Sequence, residues 1–378
     1  GDVIDQTITT YYKAPKSFTG EDMVEISLHG GNAVINKFID VFKNNKRTRL
    51  AEPGEFTRRS FENNKLDLTQ VEAIADLVNA ETEYQRKQAY SQLEGKLTLK
   101  TKEIYNELKN TLANIEAIID FTDEELPKKL LNNTKEQIEN ISDNIESILN
   151  NNNKGRKIRE GFVVGIIGNT NTGKSSFINN VSNQEIAIVS NKPGTTRDAI
   201  ESYIDIMGLP VRFYDTAGIR KHRNAIEKKG IIKSKEISKD SDLNLVFINN
   251  ISEINDFKCF LNSIFVQSKY DIRKKPITKN NITNISSKTN YGINSLLKKI
   301  FKRLSEKNFT ENTYISRERH IECLRKTRKY LEKSKKKKNL DVFAEDIRLA
   351  IKEVSKIYGN VDIENILDII FSDFCIGK

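Results

Sequence analysis

Phe162-Val-Val-Gly-Ile-Ile167, followed without a break by Gly168-Asn-Thr-Asn-Thr172-Gly173-Lys174-Ser175-Ser176, decides the fold. The apolar run suits a strand buried on both faces. The loop after it matches the spacing G-x-x-x-x-G-K-[ST]. Glycines let such a loop curl so that its amides converge on phosphate oxygens, and a helix opening near Lys174 adds its positive end. In that setting Lys174 would bring a point charge to the β- and γ-phosphates and Ser175 a hydroxyl to Mg²⁺. Strand, loop and helix in this order predict a P-loop nucleotide site.

Working outward, Val211 to Tyr214, Leu243 to Ile248, Ile264 to Val266 and Ile282 to Ile285 read as further short strands between helical segments. Such alternation predicts a parallel sheet covered by helices. Asp215-Thr216-Ala217-Gly218 follows the second strand; Asp215 would hold Mg²⁺ through water and the Gly218 amide would meet a γ-phosphate. Before it, Pro193-Gly194-Thr195-Thr196-Arg-Asp198 reads as a switch that orders on the γ-phosphate. Thr196 is the candidate for the second Mg²⁺ hydroxyl. Guanine is usually read by N-K-x-D; here Ser268-Lys269-Tyr270-Asp271 has Ser in place of Asn. Asp271 preserves the guanine preference, while the lost amide predicts a loop weakened by about one hydrogen bond, ~1 kcal/mol. Ser286-Ser287-Lys288 would approach guanine O6 through backbone amides. The order of these elements points to GTP rather than ATP.

Hydrolysis needs a group that positions water, and a Gln just after D-x-x-G commonly does so. Ile219 occupies that place and cannot. Glu227 lies in the following polar segment and has a suitable carboxylate, although a solvated acid at a helix start is the plainer reading from the residues alone. Asn171 has an oxygen able to hold a monovalent cation beside the phosphates, where it would neutralise developing charge.

The flanks differ from this centre. Val3, Ile4, Ile8 to Tyr12 and Met23 to Leu28 read as strands, and Val34 to Phe42 as a helix. Three helical stripes follow: Leu68, Val71, Ala75, Val78; Ile104, Leu108, Leu112, Ile115, Ile119; and Ile138, Ile141, Ile145, Ile148. Asn150 to Arg156 reads as a polar linker. Beyond Leu304 the stripes Ile347, Ile351, Val354, Ile357 and Ile363, Ile366, Ile370, Phe374 return to helix. An α/β domain inserted into a helical domain is therefore expected. The net charge of +10 permits a polyanionic partner. The lysine run Lys335 to Lys338 is either a solvated loop or a phosphate contact. No apolar run approaches the ~18 residues of a membrane span. Three dispersed cysteines (Cys259, Cys323, Cys375) fit a reducing compartment better than a disulfide framework. The chain opens on Gly1 rather than Met and reads as starting inside its first domain.

Four blocks now resemble one family: Ser17-Phe-Thr-Gly-Glu-Asp22 with Leu28-His-Gly-Gly31; Arg49 to Arg58 running into Lys65 to Ala73; Ile119-Asp-Phe-Thr-Asp-Glu-Glu125; and the terminal Cys375-Ile-Gly-Lys378. With the P-loop they resemble the MnmE (TrmE) family, GTPases that modify the wobble uridine (U34) of certain tRNAs. The resemblance spans nearly the whole chain. It implies a multidomain α/β plus all-α fold: an incomplete α+β folate-binding and dimerisation domain (1–65), a helical domain in two parts (66–155 and 305–378), and an inserted P-loop GTPase domain (156–304). It implies a K⁺-stimulated GTP hydrolase of the bacterial cytoplasm. Asn171, Ser190, Lys192 and Thr195 would surround K⁺, and the family usually has Thr where Ser190 stands. Glu227 matches the family's water-positioning glutamate. A 5-formyltetrahydrofolate-type one-carbon donor would be met by Glu25, Lys65 and Lys378. The implied partners are tRNA, a second copy of the chain, and the FAD-dependent MnmG in a heterotetramer; together they add an aminomethyl-type group at uridine C5. Cys375 has two readings, a group in the modification chemistry or a small buried residue at a helix end. The stretch Asn249 to Gln267 is short for the family, so one G-domain helix is expected to be trimmed. A degenerate GTP-binding switch associated with RNA or ribosomes, with weak hydrolysis, is the alternative.

Overall fold

The structure, a computed structural model, describes residues 2–120, 127–150, 152–184, 201–215, 238, 240–273, 277, 282–305, 315–337 and 339–360. The chain divides into two compact units: Gly1–Val78, Tyr90–Leu149 and Arg319–Lys378 form one, and Asn79–Ala89 with Asn150–Glu318 form the other.

The first unit opens with an antiparallel pair, β1 (Ile8–Tyr12) and β2 (Met23–Ser27), in register Ile8 to Ser27 and Tyr12 to Met23. The expected strand character at Val3 and Ile4 is not realised; β1 begins at Ile8, and Val3 lies almost fully in solvent. Helices α1 (Asn32–Lys43), α2 (Glu55–Glu62) and α3 (Leu68–Val78) follow. Helix α4 (Glu83–Leu93) begins in the second unit and ends in the first. Long helix α5 (Lys96–Asp120) buries Ile104, Leu108 and Ile115 of its stripe but leaves Leu112 and Ile119 half-buried, Thr111 and Ile118 turning inward instead, while α6 (Pro127–Asn150) buries its stripe Ile138, Ile141, Ile145 and Ile148. The sequence stripes of α3 bury Leu68, Val71 and Ala75 but leave Val78 partly in solvent.

In the second unit the expected linker at Asn150 to Arg156 is replaced by helix α7 (Asn152–Glu160). Its polar residues mislead because the helix is fixed through its backbone. The buried Gln88 side chain donates to the Gly155 carbonyl at 2.9 Å, and Gln85 donates to the Arg159 carbonyl at 3.1 Å and to the Tyr203 hydroxyl at 2.7 Å. Ile158 completes the seat by burying its side chain. Then come β3 (Phe162–Gly168), α8 (Lys174–Ser182), β4 (Glu201–Ile206), β5 (Leu209–Asp215), β6 (Leu243–Phe247), β7 (Ser263–Gln267), β8 (Ile282–Asn284) and α9 (Ile293–Ser305). The six strands are ordered β4-β5-β3-β6-β7-β8, parallel except for the β4–β5 hairpin. This is the expected sheet plus one strand, β4, that the sequence reading lacked. Between β6 and β7 the chain makes only a short 3₁₀ turn at Ile251–Ile254, as expected for a trimmed helix. Phe177 of α8 packs edge-on to Phe213 at 5.8 Å and tilted against Phe247 at 5.7 Å, so the helix after the P-loop is wedged onto β5 and β6.

The first unit closes with α10 (Glu318–Ser334) and α11 (Leu340–Ser355). Asn339 caps α11 by accepting from the Asp341 amide at 2.8 Å. Deep in this unit Glu72, 1 % exposed, accepts two hydrogen bonds from Arg319 and contacts Nε2 of the inaccessible His320 at 2.8 Å. Arg319 also donates to the Lys356 and Ile357 carbonyls, so one buried carboxylate ties α3, α10 and the end of α11. No helix among the described residues is long and apolar enough to cross a membrane.

Candidate nucleotide-binding site

Strand β3 ends at Gly168, whose φ of +146° lies in the region open to glycine; a Cβ there would collide with the Phe247 carbonyl oxygen. Asn171 turns the loop with φ +60°. Gly173 caps α8 in a left-handed conformation, so the first amides of the helix face back into the loop. A Cβ on Gly173 would collide with Ser268 Oγ. Both glycines are thus required by contacts as well as by φ, and the loop keeps a concave backbone surface that a side chain would fill.

Lys174 is buried, and its Nζ donates to the Gly168 carbonyl at 2.8 Å and the Asn169 carbonyl at 2.6 Å. Thr172 is buried and donates to the Asn169 carbonyl at 2.8 Å. These bonds hold the cation inside the curl of the loop. Ser175 and Ser176 stand in the first turn of α8. Asp215 ends β5 paired in register with Ile166, which places its backbone beside the strand that feeds the loop.

The base-reading segment is braced against this loop. Ser268, buried at the end of β7, donates from Oγ to the Thr172 carbonyl at 2.5 Å, and Lys269 Nζ donates to the Asn171 carbonyl at 2.9 Å. The expected loss of an anchoring hydrogen bond at Ser268 is therefore corrected. Gly173 leaves room for the short serine side chain to reach the phosphate loop directly. Arg273 grips the Ser268 carbonyl at 2.7 Å and both oxygens of Asn249. Asp271 accepts from Ser286 Oγ at 2.7 Å, while Asn180 donates to the Ser287 carbonyl at 2.9 Å. One carboxylate oxygen of Asp271 is held by this contact. Lys288 is exposed at the rim.

One feature of this corner escaped the sequence reading. Tyr270 and Tyr291 stack face to face, 4.2 Å apart and 6° from parallel. The stack joins the Ser268–Asp271 loop to the segment after β8, and the Ser286 amide donates to the Tyr291 carbonyl at 2.9 Å. The neighbouring Tyr270 hydroxyl raises the Tyr291 pKa above that of an ordinary phenol. A tyrosine at each of two loops flanking the base-reading motifs was the available signal.

Residues Ser190, Asn191, Lys192, Pro193, Gly194, Thr195, Thr196, Thr216, Ala217, Gly218 and Glu227 lie outside the described residues, as do Cys375 and Lys378 and the stripe from Ile363 to Phe374. The side chain of Asp215 is likewise outside them. The structure thus brings together the P-loop, the Ser268–Asp271 loop and the Ser286–Lys288 loop. Among the described residues no cluster of three or more His, Cys, Asp or Glu side chains suits a metal ion.

In the first unit a cavity of about 500 Å³ is lined by Phe18, Met23, Glu25, Phe56, Thr57 and Leu66, among others. Its wall is apolar apart from Glu25 and the fully buried Thr57, whose Oγ1 has no hydrogen-bond partner among the described residues. Lys65, the other expected residue here, donates to the Pro15 carbonyl at 2.9 Å and is not part of the cavity wall.

Two family models match the chain: the MnmE helical domain over residues 68–375 and the GTP-binding protein TrmE N-terminus over residues 1–65. The chain is 42 % identical to the tRNA modification GTPase MnmE of Pelagibacter ubique over 398 aligned positions, covering 100 % of this chain and 88 % of that protein. It is 41 % identical to the tRNA modification GTPase MnmE of Rickettsia bellii, again over 100 % of this chain and 88 % of the relative. For the protein of the same name from Parvibaculum lavamentivorans the figures are 40 %, 99 % and 87 %. The glycine-lined loop, the parallel sheet and the helical flanks are thus covered by a single family from end to end, and the chain belongs to the MnmE (TrmE) family.

Proposed function

We propose that this chain is a GTP hydrolase acting in tRNA modification at the wobble uridine. The observation that carries the reading is the direct linkage of the phosphate loop to the base-reading loop through Ser268 and Lys269, which sets a distance between phosphates and base. The residues present fit a nucleoside triphosphate. Amides at the start of α8 face the glycine-lined concavity, and Lys174 holds a buried ammonium at its floor. Asp271 would accept the guanine N1 and N2 protons while Ser286 fixes its carboxylate, and amides of the Ser286–Lys288 loop would meet O6.

Ser175 and Thr196 are the hydroxyls proposed to hold Mg²⁺, with Asp215 acting through water. Asn171, Ser190, Lys192 and Thr195 are proposed to surround K⁺. When bound, the cations supply neutralisation of charge developing on the phosphates. Glu227 orients the attacking water through its carboxylate, and Lys174 stays on the β- and γ-phosphate oxygens throughout. In the proposed domain scheme, residues 156–304 carry this chemistry and residues 1–65 carry a folate-type donor site. The cavity beside Glu25 supports that second part: its wall is apolar enough for a pterin ring, and the Thr57 hydroxyl has no partner among the described residues. Lys65 and Lys378 would meet the donor's acidic tail. Cys375 is proposed for the modification chemistry, and MnmG with a second copy of the chain as partners in a cytoplasmic complex.

The test is GTP turnover by the full chain in K⁺ and in Na⁺, with Glu227→Ala alongside, and modified U34 scored in a deletion strain carrying this gene. Faster turnover in K⁺, its loss in Glu227→Ala and restoration of the nucleoside are expected. Equal turnover in the two salts together with an unaffected Glu227→Ala would refute the hydrolytic mechanism. Tight GTP binding without turnover would favour the alternative, a GTP-binding switch.

A further inference from the structure

The lysines at the end of α10 play no part in the nucleotide site. Lys326, Lys329, Lys336 and Lys337 are all exposed, and none has an acidic partner among the described residues. Their neighbours behave differently. Arg328 pairs with Glu146 at 2.9 Å, Lys333 with Asp346 at 2.9 Å, and Lys335 with Glu332 at 3.2 Å. Glu146 of α6 and Asp346 of α11 are engaged by Arg328 and Lys333, and no ion pair reaches Lys326, Lys329, Lys336 or Lys337 among the described residues. Two exposed acids, Glu318 and Glu322, stand near its start, and Glu318 pairs with Arg156 at 3.4 Å.

A simpler account is that cations at a helix C-terminus complement the macrodipole. That covers Lys336 and Lys337, which continue the helix as a turn through hydrogen bonds to the Lys333 and Ser334 carbonyls. It does not cover Lys326 and Lys329, which lie one to two turns earlier, beyond the reach of the last turn. From Lys326 to Lys337 the helix and the turn after it advance about 16 Å along the backbone at ~1.5 Å per residue. A rigid row of uncommitted charges suits a regularly charged polymer better than a single small anion.

We propose that this face of α10, with the turn after it, is a surface that contacts the phosphate backbone of RNA. The proposal rests on the reading of the chain as a tRNA-modifying protein. Such contacts position a substrate without reading its sequence, and each releases counterions, so they carry a defined salt dependence.

The experiment measures binding of an unmodified tRNA transcript to the full chain across a salt series. The test variant carries Lys326→Gln, Lys329→Gln, Lys336→Gln and Lys337→Gln. A control variant loses the same charge at exposed lysines elsewhere: Lys37→Gln, Lys109→Gln, Lys258→Gln and Lys298→Gln. If all four lysines meet phosphates, the slope of log K against log salt becomes shallower by about 3 in the test variant. Its affinity near physiological salt falls at least tenfold, while the control stays within threefold of wild type and basal GTP turnover is unchanged in both. An unchanged slope in the test variant, or an equal loss in the control, overturns the proposal. A wild-type chain that binds no tRNA overturns it together with the reading beneath it. Binding to anionic vesicles that depends on the same lysines, with tRNA binding unaffected, assigns the surface to a membrane and also overturns it.

Discussion

Removing one oxygen atom by Ser268→Ala tests whether the phosphate loop and the base-reading loop are one mechanical unit. Ser268 is 2 % exposed and Thr172, whose carbonyl it reaches at 2.5 Å, is 1 % exposed. Water therefore has no ready access to replace the bond. A typical hydrogen bond contributes ~1 kcal/mol net, and stranding a buried carbonyl costs about 1–3 kcal/mol. Burial places the expected loss near 2 kcal/mol. The loop itself should stay in place, because Arg273 still holds the Ser268 carbonyl and Lys269 still reaches Asn171. Urea unfolding of the full chain should thus show a lower midpoint with an unchanged slope. Calorimetric titration with GDP should show weaker binding, approaching 30-fold if the site bears the whole loss. An unchanged midpoint and an unchanged Kd would refute the reasoning, since the bond would then be worth nothing to either property.

Three further outcomes follow from other contacts. Tyr291→Ala removes half of the aromatic stack, worth about 0.5–1.5 kcal/mol, and should weaken GDP binding severalfold, with Tyr291→Phe restoring it; equal defects in both variants would contradict the role of stacking. Glu72→Ala leaves Arg319 and His320 without their shared buried carboxylate and should destabilise the helical unit by about 3–5 kcal/mol in denaturant unfolding. Glu55, held by Arg49 and Arg59 at 2.7 Å each, has its pKa lowered from 4.5 to about 2. Its folded pKa lies below its unfolded value, so its contribution is complete above pH 4.5 and is lost as pH falls toward 2. The stability difference between wild type and Glu55→Gln should fade across that window, and a difference independent of pH would remove the ion pairs as its cause.

The parts of the fold that were legible are those whose signal is local. β3 and the P-loop are read from residues adjacent in sequence, and each long helix repeats its apolar stripe over many turns. Helix α4 was not legible, because the face it buries is made of Gln85, Gln88, Gln92 and Ala89 rather than large apolar residues. Its stability comes from side-chain amides meeting distant carbonyls, such as Gln92 donating to Thr69 at 2.9 Å. Strand β4 buries only Ile204 and Ile206, too brief an alternation to stand out from the polar sequence before it. In the candidate site the motif positions were readable, but the consequence of Ser268 was not. Its effect depends on Gly173, which lies far away in sequence and close in space. The cavity beside Thr57 and the tyrosine stack are likewise products of packing between separate segments.

Helix α7 also bears on how the GTPase portion could be isolated. A fragment cut at the asparagine run near Asn150 would lose residues 79–89, which belong to the same compact unit. The Arg159 carbonyl, the Gly155 carbonyl and the Tyr203 hydroxyl would each forfeit a glutamine partner. The Gly208 carbonyl at the β4–β5 turn would also lose the Tyr84 amide that donates to it at 3.1 Å. An autonomous fragment would therefore have to carry the start of α4 as a second piece, either joined by a short engineered linker or added in trans as a peptide. Complementation by such a peptide would turn a helix donated from outside the nucleotide-binding segment into a handle on its stability.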